Sequence, residues 1–173
     1  MIEPLPEIGL SRTDEAAIAA LLATCFPTDY GGRSFYTQRP HLRLVWREGV
    51  ILSHLALFYR AVRLGGVLVD VIGVGDVATA PEARGRGLAT GLMTQAVAMA
   101  RASEARFGML VGARGLYDRA GFLPAPNPCT HVGMTGAKTG RVTRAKNPFL
   151  RILPLGDRDW PGQVELDLMG PLF

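Results

Sequence analysis

The sequence predicts an α+β fold, in which a mixed, mostly antiparallel central sheet is flanked by helices. Three observations carry this prediction: a helix-like segment near the start, three consecutive strand-like segments with short turns between them, and a glycine-rich junction that leads from the third strand into an amphipathic helix. The 173 residues contain no internal repeat and no linker-like change in composition. We therefore expect residues 1–173 to form a single domain.

The first half of the chain is predicted to be one helix followed by a strand meander. Thr13-Asp14-Glu15 is typical of a helix start, and the segment after it is rich in Ala, Ile and Leu. Alternating apolar and polar residues follow a loop rich in Gly and Pro, and Glu48-Gly49 and Gly65-Gly66 separate the strand-like runs. The predicted bounds are 16–24 for the helix and 41–46, 50–62 and 67–79 for the strands.

The second half begins with a helix predicted over 87–101. Leu88, Leu92, Ala96 and Met99 repeat at the three-to-four spacing of one apolar helical face. A short apolar run at 107–111 indicates a buried strand, and a short helix is expected over 113–119, before the natural stop at Gly121. After a proline-rich loop, further strands are predicted at 149–153 and 164–168.

Composition and charge exclude several classes of protein. Hydrophobic residues make up 48% of the chain, yet no apolar run is long enough to span a membrane, and the first residues do not resemble a secretory signal. We expect a cytoplasmic protein that binds no membrane. A net charge of +4 is too small to favour nucleic-acid binding. The two cysteines, Cys25 and Cys129, and the three histidines have no metal-ligand spacing, so free thiols and no metal site are expected.

The glycine-rich junction is the segment that most clearly predicts a ligand-binding site. A strand ending near Thr79 meets a helix starting near Gly85, and Arg84-x-x-Gly87-x-Ala89 spans the junction. Unpaired backbone N–H groups and the positive end of the helix dipole meet there, and glycines allow a phosphate to approach, so the junction predicts a pyrophosphate cradle. A glycine-rich helix start without a ligand is the alternative. The segment lacks the Lys-Ser/Thr of a P-loop and the G-x-G-x-x-G pattern, which disfavours nucleotide hydrolysis and dinucleotide binding.

A second motif, Leu116-Tyr117-x-x-x-Gly121-Phe122, follows some thirty residues later. The two motifs together resemble the GCN5-related N-acetyltransferase (GNAT) superfamily. The resemblance implies a GNAT-type sheet, acetyl-CoA or another acyl-CoA as cosubstrate, and Tyr117 as the general acid toward the coenzyme A thiolate, with a tyrosine of the core as the alternative. It also implies main-chain contacts to the pantetheine arm and to the pyrophosphate. The implied cofactor-binding residues are Val77, Ala78, Thr79, Arg84, Gly85, Arg86, Gly87, Leu88 and Ala89.

A narrower resemblance concerns the acceptor. Residues 34–43, the strands around His54, and the tail with Trp160-Pro161 and Asp167-x-x-Gly170-Pro171 are similar to the nodulation N-acyltransferase branch. The helix-start segment is similar to the aminoglycoside 2'-N-acetyltransferases. Both branches modify amines on sugars, which implies a small-molecule amine as acceptor. The chain departs from the superfamily around Val111-Gly112, where the usual Asn before the short helix is missing.

Two further side chains are candidates on their own chemistry. Asp76 is an acid within an otherwise apolar strand, and burial would raise its pKa toward that of a general base, acting directly or through water. The alternative for Asp76 is an ion pair with an Arg at the sheet surface. His54 lies among apolar strand residues, which favours a hydrogen-bonded core residue over a catalyst.

The acids Asp29 and Asp167 are predicted to attract a cationic acceptor, with solvated surface charge as the alternative.

Together these observations and the resemblance predict an acyl-CoA-dependent N-acyltransferase that transfers acetyl to a primary amine of a small molecule, such as an amino sugar or aminoglycoside. Acetylation of protein Lys or N-termini, and a non-catalytic CoA-binding module, are the competing functions. The length of the acyl chain and the formation of a homodimer are left open by the sequence.

Overall fold

The structure is a computed structural model that describes residues 1–27 and 30–173. Within these residues the chain forms three α-helices and one ten-stranded sheet. In chain order the elements are β1 (Ile2–Pro6), α1 (Arg12–Cys25), β2 (Leu42–Glu48), β3 (Val50–Leu64), β4 (Val67–Thr79), α2 (Leu88–Arg101), β5 (Phe107–Val111), α3 (Gly115–Arg119), β6 (Leu123–Pro124), β7 (Pro128–Thr135), β8 (Lys138–Lys146), β9 (Leu150–Pro154) and β10 (Leu166–Asp167).

The pairing of the strands confirms the α+β prediction. Strands β2, β3 and β4 form the predicted antiparallel meander, and its two turns contain glycines with positive φ, at Gly49 and at Gly65-Gly66. The main path through the sheet is β6-β9-β5-β4-β3-β10-β7-β8, while β2 pairs with the first half of β3 and carries β1 at its other edge. Only the β4–β5 and β7–β10 pairs are parallel among the described strands, so the sheet is mixed and mostly antiparallel.

Some elements differ from their predicted bounds. Helix α1 begins at Arg12, earlier than predicted, because the Ser11 hydroxyl accepts the Asp14 N–H at 3.0 Å and caps the helix. Strand β1 and the β7–β8 hairpin were not predicted. Strand β1 contains two prolines and pairs with β2 alone, and β8 is almost wholly exposed, so neither segment shows the apolar alternation of a half-buried strand.

Strand β4 separates from β5 part of the way along its length, and this separation shapes the candidate active site. The two strands pair only from Val71 to Val74, opposite 107–110, and β4 then continues without β5 to Thr79. In the same stretch the β3–β4 register shifts, so that Asp76 and Val77 together lie opposite Leu55. This β-bulge places Asp76 at φ +48°, a left-handed conformation that is uncommon for a residue with a side chain. The separation opens a gap in the sheet between β4 and β5.

The hydrophobic core packs on both sides of this gap. Helix α2 buries Leu88, Leu92 and Ala96, close to the face that its spacing predicts, and α1 buries Ile18 and Leu22. No helix among the residues that the structure describes is long and apolar enough to cross a membrane.

Candidate active site

A cavity of about 620 Å³ lies where β4 leaves β5, and we call it the donor cavity after the acyl donor that the sequence predicts for its lining residues. It is bounded by the end of β4, the start of α2 and the short helix α3. Of the residues predicted to bind the cofactor, all but one line it, namely Val77, Ala78, Thr79, Arg84, Gly85, Gly87, Leu88 and Ala89.

The start of α2 has the properties of an anion site. Gly87 is the N-cap residue in a left-handed conformation, with φ +77°, and no side chain caps the first N–H groups of the helix. Gly85 also has a positive φ, and a Cβ added at either glycine would meet no atom within 4 Å. The junction therefore leaves open space in front of unpaired donors at the positive end of a 14-residue helix. Arg84 and Arg114 line the same cavity and add positive charge.

Arg86 is the exception among the predicted cofactor residues. Its guanidinium forms an ion pair with Glu48 at 2.7 Å, at the end of β2, and its side chain does not line the donor cavity. The prediction for Arg86 can therefore apply only to its main chain.

A second cavity of about 330 Å³ adjoins the first, and we call it the acceptor cavity because the predicted catalytic residues line it. The two cavities share Phe26, Val77 and Arg114 in their walls. The acceptor cavity brings together the two predicted catalytic residues, Asp76 and Tyr117. Its walls are otherwise rich in aromatic side chains, those of Phe26, Tyr30, Tyr36, Phe58 and Phe173.

The Asp76 carboxylate is the acidic group of the acceptor cavity. Its Oδ1 accepts a hydrogen bond from the Tyr30 hydroxyl at 2.9 Å. Burial raises the pKa of Asp76, while the Tyr30 hydrogen bond and the charge of Arg43 oppose that shift. Burial and the nearby carboxylate in turn raise the pKa of Tyr30. Within residues 1–27 and 30–173 no Arg or Lys forms an ion pair with Asp76, so the surface ion-pair alternative does not describe its position.

Tyr117 lies both in the hydrophobic core and in the wall of the acceptor cavity. Its side chain is 8% exposed and belongs to the core cluster that packs under α2, yet it also lines the acceptor cavity. Burial raises the pKa of Tyr117, and the charges of Arg114 and Arg151 work in the opposite direction. A Cβ at Gly112 would overlap the Tyr117 ring, which explains why a side chain such as the usual Asn has no room there.

Of the two predicted acceptor contacts, the structure describes the position of Asp167. Asp29 lies outside the described residues. Asp167 is on β10, where its Oδ1 accepts the Met169 N–H at 2.8 Å, and it lines neither cavity. The prediction that Asp167 contacts the acceptor is not supported by this position, because its carboxylate already stabilises the turn after β10.

Phe173, the last residue of the sequence, lines the acceptor cavity and was not predicted as a site residue. Its ring packs against Gly73 of β4, where a Cβ would overlap it. Arg60 holds the segment in place, because its guanidinium donates to Pro171 O at 2.8 Å and Leu168 O at 2.7 Å and lies 5.0 Å from the Phe173 ring centroid. Glycines inside a strand often mark a close approach of another group, and this signal at Gly73 could have been used.

The fold and the two adjoining cavities fit the acyltransferase class that the sequence predicts, with an uncapped helix start in one cavity and Asp76 and Tyr117 in the other. A family model described as an acetyltransferase (GNAT) domain matches residues 9–125. The chain therefore belongs to the GNAT family of N-acetyltransferases. No curated protein matches the chain in sequence.

Solved structures share the fold at low sequence identity. The GNAT family N-acetyltransferase YhbS from Escherichia coli, solved in complex with CoA, has a TM-score of 0.68 and 21% identity over 97% of this chain and 88% of its own. A GNAT family acetyltransferase from Brucella melitensis, in complex with acetyl-CoA, has a TM-score of 0.61 and 20% identity, covering 96% and 94% of the two chains. The ribosomal-protein-S18-alanine N-acetyltransferase from Escherichia coli has a TM-score of 0.61 and 14% identity, covering 93% and 98%.

Proposed function

We propose that the protein transfers an acetyl group from acetyl-CoA to a primary amine of a small molecule, such as an amino sugar or an aminoglycoside. The observation that carries this proposal is the meeting of the two cavities beside Val77, with an anion site in the donor cavity and the Asp76 carboxylate in the acceptor cavity. The CoA and acetyl-CoA complexes of the two structural neighbours support the choice of donor.

The donor cavity suits a coenzyme A thioester in two ways. The pyrophosphate would lie against the N–H groups between Gly85 and Ala89, where the glycines leave room for it. The pantetheine arm would run beside Val77, Ala78 and Thr79, because β5 no longer pairs with this part of β4. That course leads the thioester to the shared wall of the two cavities.

The acceptor cavity supplies the two proton transfers that amide formation needs. The amine nitrogen attacks the thioester carbonyl, so that the C–N bond forms and the C–S bond breaks. Asp76, directly or through water, takes the proton that the amine loses, and its raised pKa makes it a stronger base than an exposed aspartate. Tyr117 donates its proton to the departing thiolate, and the products are the amide and free coenzyme A.

The size and lining of the acceptor cavity favour a small amine over a protein chain. About 330 Å³ is at the lower end of the range for small-molecule sites, and the Phe173 ring forms part of the wall. A carboxylate surrounded by aromatic rings attracts an ammonium group through both charge and cation–π interaction. Acetylation of a protein remains the competing outcome, since the neighbour that acts on a ribosomal protein shares the fold.

The test is release of free thiol from acetyl-CoA in the presence of amino sugars, aminoglycosides and simple amines, compared with peptides bearing Lys or a free N-terminus. We expect turnover with cationic small amines and a large loss in Asp76→Asn. Asp70→Asn is the matched control, because Asp70 lies on the same strand but is exposed and lines neither cavity. Turnover only with peptides would replace the proposed acceptor class, and binding of acetyl-CoA without thiol release under any condition would indicate a non-catalytic module.

A further inference from the structure

A chain of buried polar side chains runs across the sheet and ends at the bulge. Arg43 of β2 is fully buried and donates from Nε to Glu7 Oε2 at 2.6 Å, while its other nitrogens donate to Ser34. Arg43 Nη1 lies 3.3 Å from His54 Nε2, and His54 Nδ1 lies 2.9 Å from the backbone oxygen of Asp76. None of these groups lines the acceptor cavity, apart from Asp76 itself.

These contacts define one tautomer of His54. A guanidinium can only donate hydrogen bonds and a carbonyl oxygen can only accept them. His54 must therefore carry its proton on Nδ1 and present the lone pair of Nε2 to Arg43. A second proton would place an N–H against the guanidinium, and burial together with the charge of Arg43 lowers the pKa of His54 to about 4. His54 is thus a neutral group with one donor and one acceptor in defined directions.

Asp76, the residue at which this series of side-chain contacts ends, has an unfavourable backbone conformation. Asp76 has φ +48°, which carries a steric cost for a residue with a Cβ unless its surroundings hold it. The His54 N–H engages its carbonyl oxygen, and the Tyr30 hydroxyl engages its carboxylate. In an ordinary strand, successive side chains alternate between the faces, so a relaxed bulge would change the direction of the Asp76 side chain.

We propose that His54, oriented by Arg43 and Glu7, is a positioning residue that holds Asp76 in its left-handed conformation and so directs the Asp76 carboxylate into the acceptor cavity. This inference rests on the proposed function only in the role that it gives Asp76. His54 itself lines neither cavity.

A pair of substitutions separates this role from simple core packing. In His54→Gln the side-chain amide offers an NH2 group as donor and a carbonyl oxygen as acceptor, so it can replace both hydrogen bonds, whereas His54→Leu offers neither. We expect His54→Leu to lower kcat/KM for the amine by about tenfold or more and to shift the acidic limb of its pH profile, because Asp76 would leave its present surroundings. In His54→Gln both quantities should stay close to those of the wild type.

Val62→Ala is the control for a general loss of stability, because Val62 is fully buried on the same strand but belongs to a different core cluster. Its pH profile should be that of the wild type. Wild-type kinetics in a folded His54→Leu, or an equal shift of the pH profile in Val62→Ala, would overturn the positioning role.

The tautomer of His54 can be measured by NMR on the wild type, and this test needs neither an activity assay nor a variant. The ¹⁵N chemical shifts of the His54 ring at pH 7 should report a neutral imidazole protonated at Nδ1. Protonation at Nε2 instead, or a charged ring, would contradict the hydrogen bonds and overturn the inference. If the wild type transfers no acyl group to any amine, the proposed function fails, and the NMR result still decides whether His54 holds the Asp76 carbonyl.

Discussion

The donor and acceptor cavities adjoin each other, yet they are built in different ways. The donor cavity comes largely from one continuous stretch, residues 77–90, and the features proposed to bind the cofactor there are backbone N–H groups and the space left by glycines. The acceptor cavity is formed by side chains from separate parts of the chain, including Tyr30, Phe58, Asp76, Tyr117 and Phe173. One site depends on local backbone geometry, and the other depends on the tertiary arrangement of side chains.

This difference has a functional meaning. A backbone site requires few particular side chains, so the donor cavity can be retained while the acceptor cavity changes. Under the proposed function, specificity for the acceptor would depend on a small number of side chains around the Asp76 carboxylate. Variants on the two sides of the shared wall should therefore have separable effects, on coenzyme A binding for one side and on acceptor kinetics or acid–base chemistry for the other.

The largest effect is expected at the start of α2. Gly87→Glu introduces a side chain and a negative charge into the anion site and removes the residue best suited to φ +77°. We expect acetyl-CoA binding to weaken by about 100-fold or more, measured by calorimetry. Gly66→Glu is the matched control, because Gly66 has φ +84° and open space around it but lies in the β3–β4 turn. If both variants bind like the wild type, the cradle is not at this helix start.

The second prediction concerns the free energy of unfolding at acid pH, which depends on the buried His54. The unfolded chain binds a proton at His54 near pH 6.5 and the folded protein only near pH 4, so acid favours unfolding between these values. Relative to His54→Gln, the wild type should keep its full stability above pH 6.5 and lose about 3 kcal/mol as the pH falls to 4. Denaturant unfolding at several pH values measures the difference. Parallel curves for the two proteins would mean that His54 titrates normally.

Tyr117→Phe should affect the chemical step and leave donor binding unchanged. Loss of a general acid costs about 100-fold in kcat, while the ring and its packing against Gly112 are kept. Steady-state kinetics with calorimetry of acetyl-CoA binding separate the two effects. Tyr59→Phe removes the hydroxyl of an exposed tyrosine of β3 that lines neither cavity, and it should behave as the wild type. Unchanged turnover in Tyr117→Phe, with chemistry limiting the rate, would remove Tyr117 from the mechanism.

The smallest change in kinetics is expected from a substitution of Phe173, which lines the acceptor cavity but not the donor cavity. Phe173→Ala should raise KM for the smallest amines about tenfold and improve the relative rate with bulkier amines, because the cavity becomes larger. Affinity for acetyl-CoA should not change. Phe149→Ala removes an exposed ring outside both cavities and is the control. An unchanged order of preference among amines would show that Phe173 does not limit the acceptor.

Local sequence patterns predicted the parts of the molecule that depend on neighbouring residues. The α+β class, β4 and β5 with their observed bounds, and α2 to within one residue followed from apolar periodicity and glycine placement. Eight of the residues that line the donor cavity were also predicted, from the junction motif and the resemblance that it carries, since backbone donors at a helix start depend on neighbours in sequence. The ring of Tyr117 was placed by a short motif of the same kind.

The meeting of side chains that are distant in sequence depends on the tertiary structure. Tyr30 and Asp76 are 46 residues apart in the chain, and the hydrogen bond between them exists because α1 packs beside the end of β4. Arg86 pairs with Glu48 instead of facing the donor cavity, Asp167 stabilises a turn, and Phe173 closes the acceptor cavity. A side chain's partner is set by strand register and the packing of remote segments, and no local pattern in the sequence records that geometry.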